Sequence, residues 1–383
     1  MVKTIGIDSG TKTMDIYGFD DENGEVLIDL AIPREEVTKN PNLIIERLRE
    51  TQRTAGFINS IVGPSGYGMP LQRARETSYS DIALATFVTE ADIKRRLKIV
   101  GLREVMKLIK GAEDLEVWFT PSVVHLTTVP EYRKANKIDM GTSDKVLSAV
   151  LAVKNQAERL KIPYDETNFI LLEIGFAYTS ALAIRNGQIV DAMAGTAGFP
   201  SYLGMGFLDA ELTYALVNTV QDFSKLMLFS GGCASVAGID QSKPLEEFAS
   251  LAKSNEKVRE GYELMMESIV KDVASLLPAI KPKEVMLSGR FVNMPQFLDA
   301  IKFRLQDFFS EIGSRVDIVK FQGEAKVTKQ AAEGAAVFAN GLAHGKFEEI
   351  IRVMKLRASE GTIFDNLYLG GAVKKGLDVF KKT

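Results

Sequence analysis

The stretch Asp8-Ser9-Gly10-Thr11 separates two apolar runs, Ile5-Gly6-Ile7 before it and the segment from Met14 after it. The runs read as strands of a hairpin and the four small or polar residues as its tip. A carboxylate at such a tip suits holding a metal-bound water or orienting phosphates. Hydroxyls and backbone N–H groups suit phosphate oxygens, and glycine leaves room for them. The plainer reading of Asp8 is an Asx-turn. Candidate phosphate contacts are Ser9, Gly10, Thr11 and Lys12, while Thr13 reads equally as an ordinary strand residue. Asn23-Gly24 marks a second turn, since both positions tolerate positive φ, and residues 25–32 read as a third strand.

The pattern recurs. Residues 169–175, FILLEIG, form a strand entering a tight turn, residues 179–184 return, Asn186-Gly187 turns again, and residues 188–192 make a third strand. Glu173 follows Asp8 by 165 residues and Asn186 follows Asn23 by 163. Nearly equal offsets argue for a duplicated domain, although Asn-Gly hairpins are common. Two such tips facing across a cleft would grip a polyphosphate and its metal from both sides, with Asp8 and Glu173 as the acids and Gly175 and Phe176 at the second tip. Neither GxxxxGK[ST] nor GxGxxG follows a strand, which separates this pattern from P-loop and Rossmann designs.

A third constellation is EVMLSGRFVNMP, residues 284–295: a strand, a Ser288-Gly289 turn, then a helix begun near Pro295. Gly289 would let the backbone approach a flat ring and Arg290 would stack on it; the alternative is a simple strand-to-helix turn. Gly204-Met205-Gly206 reads as a mobile loop, and residues 229–233 (FSGGC) as either a nucleotide-side loop or a glycine turn. His125 reads as a packed histidine and Cys233 as a small buried residue. Asp139 and Asp144 flank Gly141-Thr142, which serves either a helix cap or a cleft.

These residues need a large scaffold. The chain has 383 residues, enough for two domains, and its 46% apolar share fills their cores. A net charge of −3 gives no reason to expect nucleic acid or an anionic membrane as partner. One cysteine excludes an internal disulfide, and two histidines argue against a histidine triad or multi-histidine metal site. The expected location is a reducing cytoplasm, with no signal peptide and no membrane span. The expected divisions are residues 1–162, 163–345, and a tail of 346–383 returning to the first domain or to a dimer contact. Residues 90–110, with the basic run 94–96, read as one amphipathic, solvated helix.

IGIDSGTKT (5–13), LLEIGFAYTSALAIRNGQIVD (171–191) and EVMLSGRFVNMP (284–295) resemble the phosphate-one, phosphate-two and adenosine motifs of the actin–hexokinase–heat-shock-ATPase superfamily. Residues 143–160 and 331–342 resemble its interdomain helices, completing five motifs in order. The resemblance implies an α/β fold of duplicated ribonuclease H-like (actin-like ATPase) domains. Each would be a mixed five-stranded sheet with flanking helices, and the nucleotide cleft would lie between them. It implies ATP and Mg2+ as cofactors, Asp8 and Glu173 as catalytic and metal-organising acids, and Ser288, Gly289 and Arg290 near adenosine. VGPSGYGMPL (62–71), VHLTTVPEYRK (124–134), MGTSDKVLSAV (140–150) and AAEGAAVFANG (331–341) are similar to stretches of acetate and butyrate kinases. The chain is also similar to an uncharacterised archaeal family described as predicted butyrate kinases.

The resemblance breaks at charged positions. Pro64 stands where the butyrate kinase loop carries arginine, and Gly206 or Phe207 where acetate kinase has another. Met140 and Asp144 replace two histidines, Thr120-Pro121-Ser122 lacks an aspartate, and Thr328 and Lys329 fall near the family's magnesium-binding glutamate. Arg73, Arg75 and Lys12 are candidate replacements, or else solvated surface charges. The leading expectation is an ATP-dependent phosphotransferase giving an acyl phosphate from a small carboxylic acid. The alternative is a nucleotide-binding switch on the same fold, and an actin-like filament subunit is the third. A homodimer is suggested by the acid kinases only.

Overall fold

A computed structural model describes residues 1–95, 98–221, 223–240 and 245–382. The chain forms two compact units. Unit 1 comprises residues 1–167, 186–189 and 322–383, and unit 2 comprises 168–185 and 190–321.

In unit 1, β1 (Lys3–Ser9), β2 (Thr13–Asp20) and β3 (Val26–Pro33) form an antiparallel meander. β4 (Ser60–Val62) lies parallel to β1, followed by β6 (Val117–Phe119) and the two-residue edge strand β5 (Gln72–Arg73), giving the order β3-β2-β1-β4-β6-β5. The short β5 makes this sheet six-stranded. Ile5, Ile7, Met14 and Ile16 from the meander are buried with Ile44 and Leu48 of the helix Asn42–Ala55 and Val105 of the helix Lys98–Gly111. The latter region is not one helix: Glu90–Lys94 ends and Lys98–Gly111 begins separately. Arg96 of the basic run lies outside the described residues, as does Thr383.

The helices Ser143–Leu160 and Gln330–Leu342 also belong to unit 1. Unit 2 therefore ends at Phe321 rather than at residue 345. The physical reason is the run AAEGAA. A Cβ on Gly6 of β1 would stand 2.2 Å from Ala336 N, and one on Gly334 would stand 2.0 Å from Leu147 O. Two glycines thus let the late helix lie directly on the first strand and on the Ser143–Leu160 helix. The tail stays in unit 1 too, where Phe380 meets Phe87 at 4.2 Å between ring centroids.

The second sheet consists of β7 (Asn168–Ile174), β8 (Thr179–Arg185), β9 (Gln188–Ala194), β10 (Glu284–Ser288) and β11 (Asp317–Lys320), in the order β11-β10-β7-β8-β9, and all of it but the first two residues of β9 belongs to unit 2. β10 runs parallel to both β7 and β11. Ile170, Leu172, Val285 and Leu287 pack against Met265 and Ile269 of the helix Glu256–Ala274 and Phe297 and Leu305 of the helix Pro295–Glu311. Pro295 occupies the first helical turn, where its missing N–H costs nothing. The two openings differ in their second turns. Asn186 and Gly187 both take positive φ, whereas in the first hairpin only Gly24 does and five residues join β2 to β3. No described helix is long and apolar enough to cross a membrane.

Candidate functional site

The β1–β2 register fixes the first tip. Ser9 lies opposite Met14, so Asp8 lies opposite Asp15, the two acids equally far from the turn. Both are buried, 4% and 1% exposed. Buried carboxylates need cations or donors, and this pair has the Lys329 ammonium, whose Nζ stands 3.3 Å from Asp15 Oδ2 and 3.8 Å from Asp8 Oδ2. The same Nζ donates to Thr13 Oγ1 at 3.1 Å. The remaining oxygens, Asp8 Oδ1 and Asp15 Oδ1, have no hydrogen-bond partner among the described residues. Gly10 makes the approach possible, since a Cβ there would stand 2.2 Å from Lys329 Nζ.

Other charges surround Asp8. Lys145 pairs with Asp144 at 2.8 Å, and the Thr142 hydroxyl donates to Asp144. Buried Arg34 adds a positive field at Asp8. Burial pushes the Asp8 carboxyl up to about 7, with Lys329 pulling the other way and Asp144 and Asp15 adding to the rise. Burial also acts to raise Asp144, but Lys145, Thr142 and Lys329 outweigh it and hold that acid below its ordinary range. Ser9 and Gly10 sit at the tip half-exposed, and Thr11 and Lys12 are exposed.

The segment carrying Lys329 is fastened. The Asp29 carboxylate of β3 accepts from the N–H groups of Lys326, Val327 and Thr328 at 2.7, 3.0 and 2.9 Å. Asp15 Oδ2 accepts from the Lys329 N–H at 3.2 Å. Glu333 accepts from the N–H groups of Glu324 and Ala325. Lys329 is the residue immediately before the helix Gln330–Leu342.

In unit 2, Glu173 is half-buried and lies between Ser180 on β8 and Ser288 on β10. The Gly175 N–H donates to Tyr178 O at 3.0 Å, closing the second tip. Gly289 has φ +95, and a Cβ there would stand 2.4 Å from Ile174 O, so glycine is required where the chain leaves β10 beside the end of β7. The exposed Arg290 guanidinium lies 5.8 Å from the Phe176 ring centroid. Glu173, Gly175, Phe176, Ser288, Gly289 and Arg290 are thus brought to one end of the sheet. The glycine loops join them: the Gly204 N–H donates to Ala177 O, the Gly232 N–H donates to Leu203 O, and the Tyr178 hydroxyl donates to Leu228 O.

Other candidates go elsewhere. Arg73 and Arg75 both pair with Glu116, at 2.7 and 3.2 Å, and Arg73 lies over Trp118. They are edge charges of the β5–β6 ribbon. Asp139 Oδ1 accepts from the Gly141 N–H and holds the turn before the Ser143–Leu160 helix. His125 is buried beside the Ser122 hydroxyl at 2.9 Å, and burial pushes it down to about 4. Cys233 is buried. The sequence assigns neither Asp15 nor Lys329 to the first tip. Asp15 is an acid inside a strand, visible only through the hairpin symmetry about the turn. Lys329 comes from more than three hundred residues away in sequence.

A divalent ion was expected at Asp8 and Glu173. Such ions take several oxygen ligands. Among the described residues no three His, Cys, Asp or Glu side chains form a metal-holding group. Both the Asp8 and Asp15 carboxylates already face the Lys329 ammonium. The residues present at the first tip do not fit a divalent ion held by this acidic pair.

Solved structures show the same architecture. A propionate kinase from Francisella tularensis superposes with a TM-score of 0.62 at 13% identity, over 87% of this chain and 99% of that one. An acetate kinase from Porphyromonas gingivalis gives 0.60 at 15% identity, over 88% and 99%. Acetate kinase from Entamoeba histolytica gives 0.58 at 13%, over 87% and 98%. Identities this low speak to fold, and the fold is the duplicated actin-like ATPase fold with two mixed sheets and flanking helices. None of the curated proteins matches in sequence. The family model described as "Protein of unknown function (DUF1464)" matches residues 6–369, and the chain belongs to that family.

Proposed function

We propose that the chain is an ATP-dependent phosphotransferase whose acceptor is a small carboxylic acid, giving an acyl phosphate. The observation that carries the reading is the first tip: a hairpin turn of small residues over two buried acids, topped by a fixed lysine, on the fold of acetate and propionate kinases. Transfer of a phosphoryl group is mainly positioning and charge stabilisation. A carboxylate acceptor is already ionised at neutral pH and needs no base, so the demand falls on cations. Lys329 and Lys145 meet it from unit 1, where Ser9, Gly10, Thr11 and Lys12 contact phosphates and Asp8 orients Lys329. In unit 2, Gly175 and Phe176 serve the nucleotide, Ser288, Gly289 and Arg290 face adenosine, and Glu173 orders water. Magnesium would enter with ATP, where it would offset phosphate charge.

A second reading is a nucleotide-binding switch without an acid substrate. It is favoured by Arg73 and Arg75, which are tied to Glu116 instead of supplying the missing clamp. ATP turnover with and without added short and branched acids separates the two. Turnover that rises only with an acid supports the phosphotransferase. Nucleotide binding with turnover indifferent to every acid supports the switch.

A further inference from the structure

We propose that the Lys329 ammonium is the resident counter-ion of the Asp8–Asp15 pair, so that the nucleotide-free first tip excludes divalent cations and presents a lysine to an incoming phosphate group. This goes beyond the phosphotransferase reading and does not depend on it.

Three features carry it. Lys329 Nζ donates to Thr13 Oγ1 at 3.1 Å and forms ion pairs with both Asp15 and Asp8. Its N–H is held by Asp15, and the segment before it by Asp29 and Glu333, so the side chain starts from a fixed point. Gly10 leaves the volume that the ammonium fills. The burial is layered as well. The acids lie beneath the surface at 4% and 1% exposure, while the lysine side chain is 48% exposed. An approaching anion therefore meets the cation first.

Charge balance points the same way. Lys329, Lys145 and Arg34 already supply positive charge at Asp8. A dication entering beside them would have to displace the lysine or leave a buried excess of positive charge, which is costly in a low-dielectric setting.

The test is Mn2+ binding to the nucleotide-free full chain, read by electron paramagnetic resonance. The wild type is expected to show no Mn2+ site tighter than on the order of millimolar. Lys329→Gln, which keeps length and loses charge, is expected to bind Mn2+ about tenfold tighter or better. Adding Asp8→Asn to it should remove that gain, and Lys329→Arg should behave as wild type. Should Lys329→Gln fail to fold by circular dichroism, Gly10→Ala carries the same test, because it pushes the ammonium out without removing it. A wild-type Mn2+ site that Asp8→Asn or Asp15→Asn abolishes would overturn the proposal. So would a folded Lys329→Gln or Gly10→Ala chain with unchanged Mn2+ affinity. Neither result bears on whether the chain transfers phosphate, which acid-dependent turnover reads separately.

Discussion

Asp8 and Asp15 differ in how they can be found. Asp8 announces itself because it ends an apolar run at a Ser-Gly-Thr turn. Asp15 looks like any strand residue until the register is known, and the register depends on turn length, which the residues Gly10, Thr11 and Lys12 leave open. The same limit hides the pairing of Lys329, which the resemblance places only near a magnesium-binding glutamate, since a contact spanning most of the chain has no local signal. Asp15 is buried and shares Lys329 with Asp8. Removing it leaves the Lys329 N–H and ammonium short of an acceptor, so Asp15→Ala should lower stability by about 3 kcal/mol in urea melts. Arg73 belongs to the opposite case. Its ion pair with Glu116 is 41% exposed on the arginine side. Arg73→Ala should cost under about 1 kcal/mol in the same melt and leave ATP turnover at the wild-type rate. A large loss of turnover would return Arg73 to the list of clamps.

At the scale of elements, the sequence carries a good deal. The helix Ser143–Leu160 matches the expected 143–160, and Gln330–Leu342 starts one residue before the expected 331. Both are long, periodic and rich in small residues, which local pattern reports well. What such a pattern does not report is which neighbour the small residues face. Gly6 and Gly334 answer that for the late helix, and with it the unit to which residues 322–345 belong. Gly6→Ala would drive a methyl into the backbone at Ala336. It should destabilise the chain by roughly 3 kcal/mol or prevent soluble expression, whereas Gly111→Ala, with open space around it, should not. The break between Glu90–Lys94 and Lys98–Gly111 is the converse: amphipathic periodicity runs through residues 90–110, and Lys94 and Arg95 carry charge in either arrangement.

At the scale of the molecule, buried titrating groups away from the first tip, Asp272 and His125 among them, give the stability a pH profile. Asp272 is buried and accepts from the Phe199 N–H at 3.0 Å, and burial pushes it up to about 7. A raised acid stabilises the fold below its unfolded value near 4, and that contribution is lost as pH rises through about 7. Asp272→Asn should therefore flatten the fall in stability between pH 4 and 7, by roughly 3 kcal/mol across the window, read from urea midpoints. His125 acts in the other direction. Its lowered value means that stability is lost as pH falls from about 6.5 toward 4, and His125→Asn should remove that slope. The function of the whole chain turns on whether its first tip serves phosphate transfer to a carboxylate. The most direct measurement is hydroxylamine trapping of acyl phosphate from purified protein, MgATP and a panel of short and branched carboxylic acids, with Asp8→Asn in parallel. The account predicts hydroxamate with at least one acid and its loss in Asp8→Asn. Binding of MgATP with no hydroxamate from any acid, or hydroxamate formed equally by Asp8→Asn, would contradict it.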